Sequence, residues 1–141
     1  SYDLVVVQDG LHHLPRPVLG LNEMVRVARV GVVVIEPHLG LIGKLIGTEW
    51  ERHDDAVNYV FRWNAVFFNQ VLRSQILERP ATIQGIRLWD HNVVIGKVVS
   101  IFGGGALSLA MAKLLYAALS PLNPCGNNFV GCAVWPGTHQ A

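Results

Sequence analysis

The stretch that most constrains the fold of this chain runs from Asp3 to Pro37, DLVVVQDGLHHLPRPVLGLNEMVRVARVGVVVIEP. Leu4 to Val7 is a continuous apolar run closed by Gln8-Asp9-Gly10, and Val32 to Ile35 is a second one closed by Glu36-Pro37. Such runs suit strands buried on both faces, which is the pattern of a parallel sheet. Between them Val18, Leu21, Val25 and Ala28 recur at helical spacing, while Asn22, Glu23, Arg26 and Arg29 take the opposite face. Pro15 and Pro17 suit the first turn and Gly31 is placed to end the helix in a left-handed conformation, so the spacing predicts a helix over 17–29. A strand, a helix and a strand in such a short span make a right-handed crossover with the two strands parallel. Ligands of open α/β sheets sit outside the carboxyl ends of the strands. Asp9, Gly10, His12 and His13 after the first strand are therefore expected to face a site, and Glu36 and His38 end the second strand on the same rim.

Composition narrows the function classes. With 141 residues, 51% hydrophobic and 15% charged, the chain holds one domain or part of one. The formal net charge is +1 and the basic residues are dispersed, which gives no nucleic-acid footprint and favours small-molecule chemistry. Cys125 and Cys132 lack a second cysteine pair or a histidine at finger-type spacing, so two reduced thiols are expected rather than a disulfide or a zinc site. The start SYDLVVVQDG lacks the features of a secretory signal, and a cytoplasmic setting is the default expectation. A strand entered at residue 3, with the first Met at Met24, gives the further expectation that the chain is a piece of something longer.

From His38 onward the pattern loosens. LGLIGKLIG is apolar but glycine-rich, and TEWERHDD is the most polar stretch, expected as a lid or surface loop. Asn64 to Leu77 recovers helical spacing through Phe68, Val71, Leu72 and Ile76, with Asn64 as its cap. Pro80 ends it, and Thr82 to Trp89 reads as a strand. Val98 to Ala112 is then uncharged for fifteen residues within an apolar segment, 93–119. Its length approaches that of a bilayer span, but the glycines at 103–105 argue for a bend between two shorter helices docked as an insertion. Asn128 to Trp135 reads as a last strand, able to pair antiparallel with 82–89.

The residues DLVVVQDGLHHLPRP, NEMVRVAR and GVVVIEP together resemble the second half of the class I S-adenosylmethionine-dependent methyltransferase domain, the small-molecule group in particular. That resemblance implies an α/β fold, the C-terminal half of a doubly wound Rossmann-like sheet: two parallel strands with their crossover helix over 1–37, a substrate-side loop and helix over 38–80, and an antiparallel closing hairpin over 81–141 carrying the apolar insertion. The family's Gly-rich cofactor loop and ribose-binding acid precede the strand at which this sequence begins. It also often has Lys-Pro-Gly where Arg29-Val30-Gly31 stands. The expectation is thus methyl transfer from S-adenosylmethionine to a small organic acceptor in a protein that also holds the N-terminal half.

By that resemblance Gln8, Asp9, Gly10 and His12 border the methionine part of the cofactor. Adjacent histidines in a turn usually point one inward and one outward, and His13 is the candidate to take a proton from the acceptor, although methyl transfer needs alignment more than a base. Glu36 and His38 either bind acceptor or cap the turn. Trp63, with Trp50, Tyr59, Phe61, Phe67 and Phe68, lines an apolar acceptor pocket or simply fills the core. Glu49, Glu51, His53, Asp54 and Asp55 have metal-binding side chains without paired histidine spacing, so a solvated loop is expected and no metal. Two rival readings remain. One is a non-catalytic module docking to a membrane or partner through 93–119, with membrane contact the less favoured form; the other is a nicotinamide dehydrogenase sharing the strand–helix pattern.

Overall fold

β2 (Ala28–Pro37) is the strand around which the rest is laid down. Alternate side chains of a strand share a face, and Val32, Val34 and Glu36 are all fully buried along one face of β2. The computed structural model describes residues 2–53 and 56–136. In it β1 (Tyr2–Gln8) pairs parallel to β2. On the other side β6 (Asn128–Val134) pairs antiparallel to β2 and also to β5 (Thr82–Leu88), giving the strand order β1-β2-β6-β5. The protein is thus mixed α/β with one sheet of both parallel and antiparallel pairs.

The crossover helix α1 (Pro17–Val27) buries Leu21 and Met24. It stops earlier than the apolar spacing suggests, because Ala28 is already extended and pairs with Tyr2 in the ladder. Gly31 is therefore not a helix cap but a strand residue. A Cβ there would stand 2.5 Å from the Ala133 carbonyl oxygen, so its lack of a side chain lets β6 lie close against β2.

Helix α3 (Ala65–Ile76) completes the core, with Phe68, Val71, Leu72 and Ile76 buried among Phe129, Ala133 and Trp135. Asn64 caps it, its side-chain oxygen accepting the Phe67 N–H at 2.8 Å. The polar stretch expected as a loop instead forms a hairpin beyond a short helix, α2 (Leu41–Ile46): β3 (Trp50–His53) pairs antiparallel with β4 (Ala56–Tyr59). The Trp50 and Tyr59 rings meet edge-on across it, 5.2 Å apart, and a cross-strand aromatic pair of this kind stabilises the hairpin despite its charged neighbours. Asp54 and Asp55 lie outside the described residues.

Between β5 and β6 the chain makes a helical excursion. α4 (His91–Phe102) and α5 (Ala106–Leu119) pack together across a turn in which Gly103 and Gly105 adopt φ of 76° and 130°, conformations glycine tolerates best. A 3-10 turn, Ser120–Cys125, then returns to β6. Cys125 is exposed and Cys132 half-buried, and both are free thiols.

Candidate functional site

β1 and β2 end side by side, and the polar residues expected there are brought together. Gln8 is the last residue of β1, opposite Ile35, and the Asp9 N–H still donates to the Ile35 carbonyl at 2.9 Å. Asp9 then turns the chain with φ of 48°, a left-handed conformation that aspartate accepts more readily than most residues. A 3-10 turn, Leu11–His13, follows.

Glu36 organises this turn. Its position continues the core-facing line of Val32 and Val34, so the strand drives a carboxylate into the protein, and burial of an ion is costly unless its oxygens are satisfied. Oε1 accepts the N–H groups of Gly10 at 2.9 Å and Leu11 at 2.6 Å, and Oε2 accepts the His12 N–H at 3.2 Å. The His12 ring closes the set with its Nδ1 2.5 Å from Oε2. These are the free donors of the 3-10 turn, so one side chain of β2 fixes the whole conformation of the loop after β1.

The bond to Nδ1 leaves His12 Nε2 directed outward, 3.6 Å from Glu51 Oε2 on β3. Burial alone would disfavour the imidazolium, but the hydrogen bond to Glu36 and the charges of Glu36, Glu51 and Asp9 outweigh it, and His12 titrates above its ordinary value of 6.5. His13 is more exposed, its ring centroid 4.1 Å from that of His12 and its Nδ1 3.8 Å from the same Glu51 oxygen. Asp9 completes the rim. Burial pushes its carboxyl above the usual value of 3.8, and the nearby charges of Asp90, at the start of α4, and Glu36 add to this against a hydrogen bond from Gln8.

His38 and Trp63 lie deeper. The His38 ring is buried and its titration lowered, first by burial and then by the charge of Arg87. Trp63 pairs with His38 through a single parallel bridge and is wholly buried among Phe61, Phe67 and Phe68, so it packs the core. Glu36, given its four bonds, holds the turn rather than offering its oxygens outward.

Two members of this rim are invisible to a local reading of the sequence. Glu51 reaches the histidines only because the β3–β4 hairpin folds against the 3-10 turn, and Asp90 reaches Asp9 only because β5 delivers α4 to the same edge. No spacing rule announces either. In comparison with known proteins, no family model and no curated protein sequence matches this chain.

Proposed function

We propose that this chain is the C-terminal half of a Rossmann-like class I methyltransferase domain, acting with S-adenosylmethionine on a small organic acceptor once its N-terminal half is present. The observation that carries this reading is the reversed strand β6 lying between β2 and β5, beside a parallel β1–α1–β2 unit. The family resemblance implies that same closing arrangement. A second support is the edge strand β1, where Tyr2, Leu4 and Val6 are exposed, a face and an edge suited to further sheet and covering helices.

The rim suits the charge of such a cofactor. Asp9 titrates high first because it is buried and then because Asp90 and Glu36 place like charges near it, and a cation beside Asp9 relieves that second part. S-adenosylmethionine supplies a methyl group on a positively charged sulfur, together with an ammonium. Gln8, Asp9, Gly10 and His12 border that part of it in this reading. The chain's own task is alignment of the acceptor in line with the methyl carbon and sulfur, worth most of the rate. In this reading the half-exposed imidazole of His13 would hold the proton that the acceptor gives up on methylation.

The test has two arms. The 141-residue chain alone is expected to show no micromolar binding of S-adenosylmethionine by calorimetry, whereas the protein extended upstream is expected to bind it and methylate small acceptors. Tight binding by the chain alone removes the half-site claim, and an extended protein that neither binds nor transfers removes the methyltransferase reading.

A second reading, docking to a lipid surface, rests on a separate observation. In the α4–α5 hairpin Val99, Ile101, Phe102, Leu107, Leu109, Leu114 and Leu115 are exposed. By length and composition the helical stretch Ala106–Cys125 could cross a membrane, yet α5 itself has 14 residues and spans only about 21 Å against a hydrocarbon core of about 30 Å. Lys97 and Lys113 stand roughly 9 and 12 Å from the glycine turn at 1.5 Å per residue, and no acidic residue follows Asp90. An uncharged tip below a level of lysines matches shallow insertion into anionic lipid, with the ammonium groups at the headgroups. Co-sedimentation with vesicles rich in phosphatidylserine, abolished in Phe102→Asp, supports this reading; a chain that stays in the supernatant refutes it.

A further inference from the structure

We propose that His12 Nε2, His13 Nδ1 and Glu51 Oε2 form a binding site for a divalent transition-metal cation of the zinc type. One ligand atom from each of the three residues lies within 4.8 Å of the others, with Glu51 Oε2 3.6 Å from His12 Nε2 and 3.8 Å from His13 Nδ1. Zinc bonds of about 2.0–2.1 Å in tetrahedral geometry set ligand atoms roughly 3.3–3.5 Å apart. The two sides that meet at Glu51 close onto such an ion with shifts of a few tenths of an ångström, and the side between the histidines, within 4.8 Å, closes with a movement of up to about 1.5 Å that falls to the half-exposed His13 ring.

The support around the ligands is what separates this cluster from a chance meeting of polar side chains. A metal-bound histidine nearly always gives its second ring nitrogen to a carboxylate or carbonyl, which fixes the tautomer and aims the ligating lone pair. His12 has that arrangement built in: Nδ1 is held 2.5 Å from Glu36, and Glu36 is itself locked by three backbone N–H groups. The ring is buried, so its orientation is set by the fold. Glu51 comes from a different element, which means the site closes only when the β3–β4 hairpin is docked. Among the described residues two histidines and one carboxylate fill three positions of a tetrahedral ion, the donor set of zinc sites whose fourth position takes a water or a substrate heteroatom.

The proposal does not rest on methyl transfer, and metal titration reads it whether or not that reaction occurs. Zinc chloride titrated into the 141-residue chain against a chromophoric chelator at pH 7.5 is expected to bind at one equivalent, with micromolar or tighter affinity. Cobalt(II) bound in its place is expected to give the intense visible bands of a tetrahedral centre. His13→Ala and Glu51→Gln, both at partly exposed positions, are each expected to weaken zinc at least tenfold while leaving circular dichroism unchanged. Glu36→Gln is expected to weaken it less. Absence of stoichiometric zinc binding overturns the proposal, as does zinc binding that neither His13→Ala nor Glu51→Gln alters.

Discussion

Glu36 and His12 are joined at 2.5 Å inside the protein, one from the end of β2 and the other from the turn after β1. The contact ties two strand ends that are already neighbours through the β1–β2 ladder, and with three backbone donors on the same carboxylate it converts a loop into a fixed rim. The charge is affordable in the core line of β2 only because every direction around it is met by a donor.

It follows that Glu36→Ala leaves His12 and three N–H groups buried without their acceptor. Loss of one partner of a buried, hydrogen-bonded pair costs about 3–5 kcal/mol. Glu36→Gln keeps an acceptor oxygen but not the charge, and is expected to cost about 1–3 kcal/mol. Urea denaturation of the two variants checks the order, and an alanine variant as stable as the glutamine one overturns the assignment.

Gly31 gives a prediction of a different kind, since nothing is removed. An alanine there meets the Ala133 carbonyl oxygen and the Val134 Cα, both backbone and neither free to rotate aside. The strands must separate, and overpacking of this sort costs about 1–3 kcal/mol. Gly31→Ala is expected to lower the thermal midpoint accordingly. Gly96→Ala, placed where a Cβ meets nothing within 4 Å in an exposed part of α4, is expected to hold or raise it.

What the sequence revealed and what it hid divide along one physical line. The strands β1 and β2, the amphipathic face of α1 and α3, and the Asn64 cap are local signals and are present in the structure, but β1 is not buried on both faces as its apolar run suggests: it lies at the sheet edge with Tyr2, Leu4 and Val6 exposed. Gly31 misled because a glycine near a helix end and a glycine where two strands touch look alike in one dimension; only β6, a hundred residues later, decides between them. The β3–β4 hairpin was hidden by its charges, and its stabilising Trp50–Tyr59 contact spans the turn. The meeting of Glu51 with His12 and His13 was hidden for the same reason, being a product of how the hairpin docks and not of any spacing.

Asn64 offers the simplest check on a local signal. Its side chain satisfies one of the free N–H groups of α3, and Asn64→Ala is expected to cost about 1 kcal/mol. Asn64→Asp or Asn64→Ser keeps an acceptor and is expected to restore most of it. If chemical denaturation shows all three variants equally destabilised, the residue acts through packing rather than as a cap.

His38 sets a pH dependence whose sign can be worked out. Burial first, and the Arg87 charge second, hold its folded-state titration below the ordinary 6.5. Above that value the ring is neutral in both the folded and the unfolded chain, and its contribution to stability is fully present. As pH falls below 6.5 the unfolded chain takes up a proton that the folded one resists, so stability declines until the folded value is passed. His12 works in the opposite sense, because its raised titration stabilises the fold below 6.5 and that contribution is lost as pH rises through its folded value. The His38 part is therefore read as a difference: between pH 7.5 and 5.5 the wild-type chain is expected to lose more stability than His38→Gln. NMR titration of the ring protons should place His38 below 6.5, and a His38 resonance that titrates at or above 6.5 rules out this source of the slope.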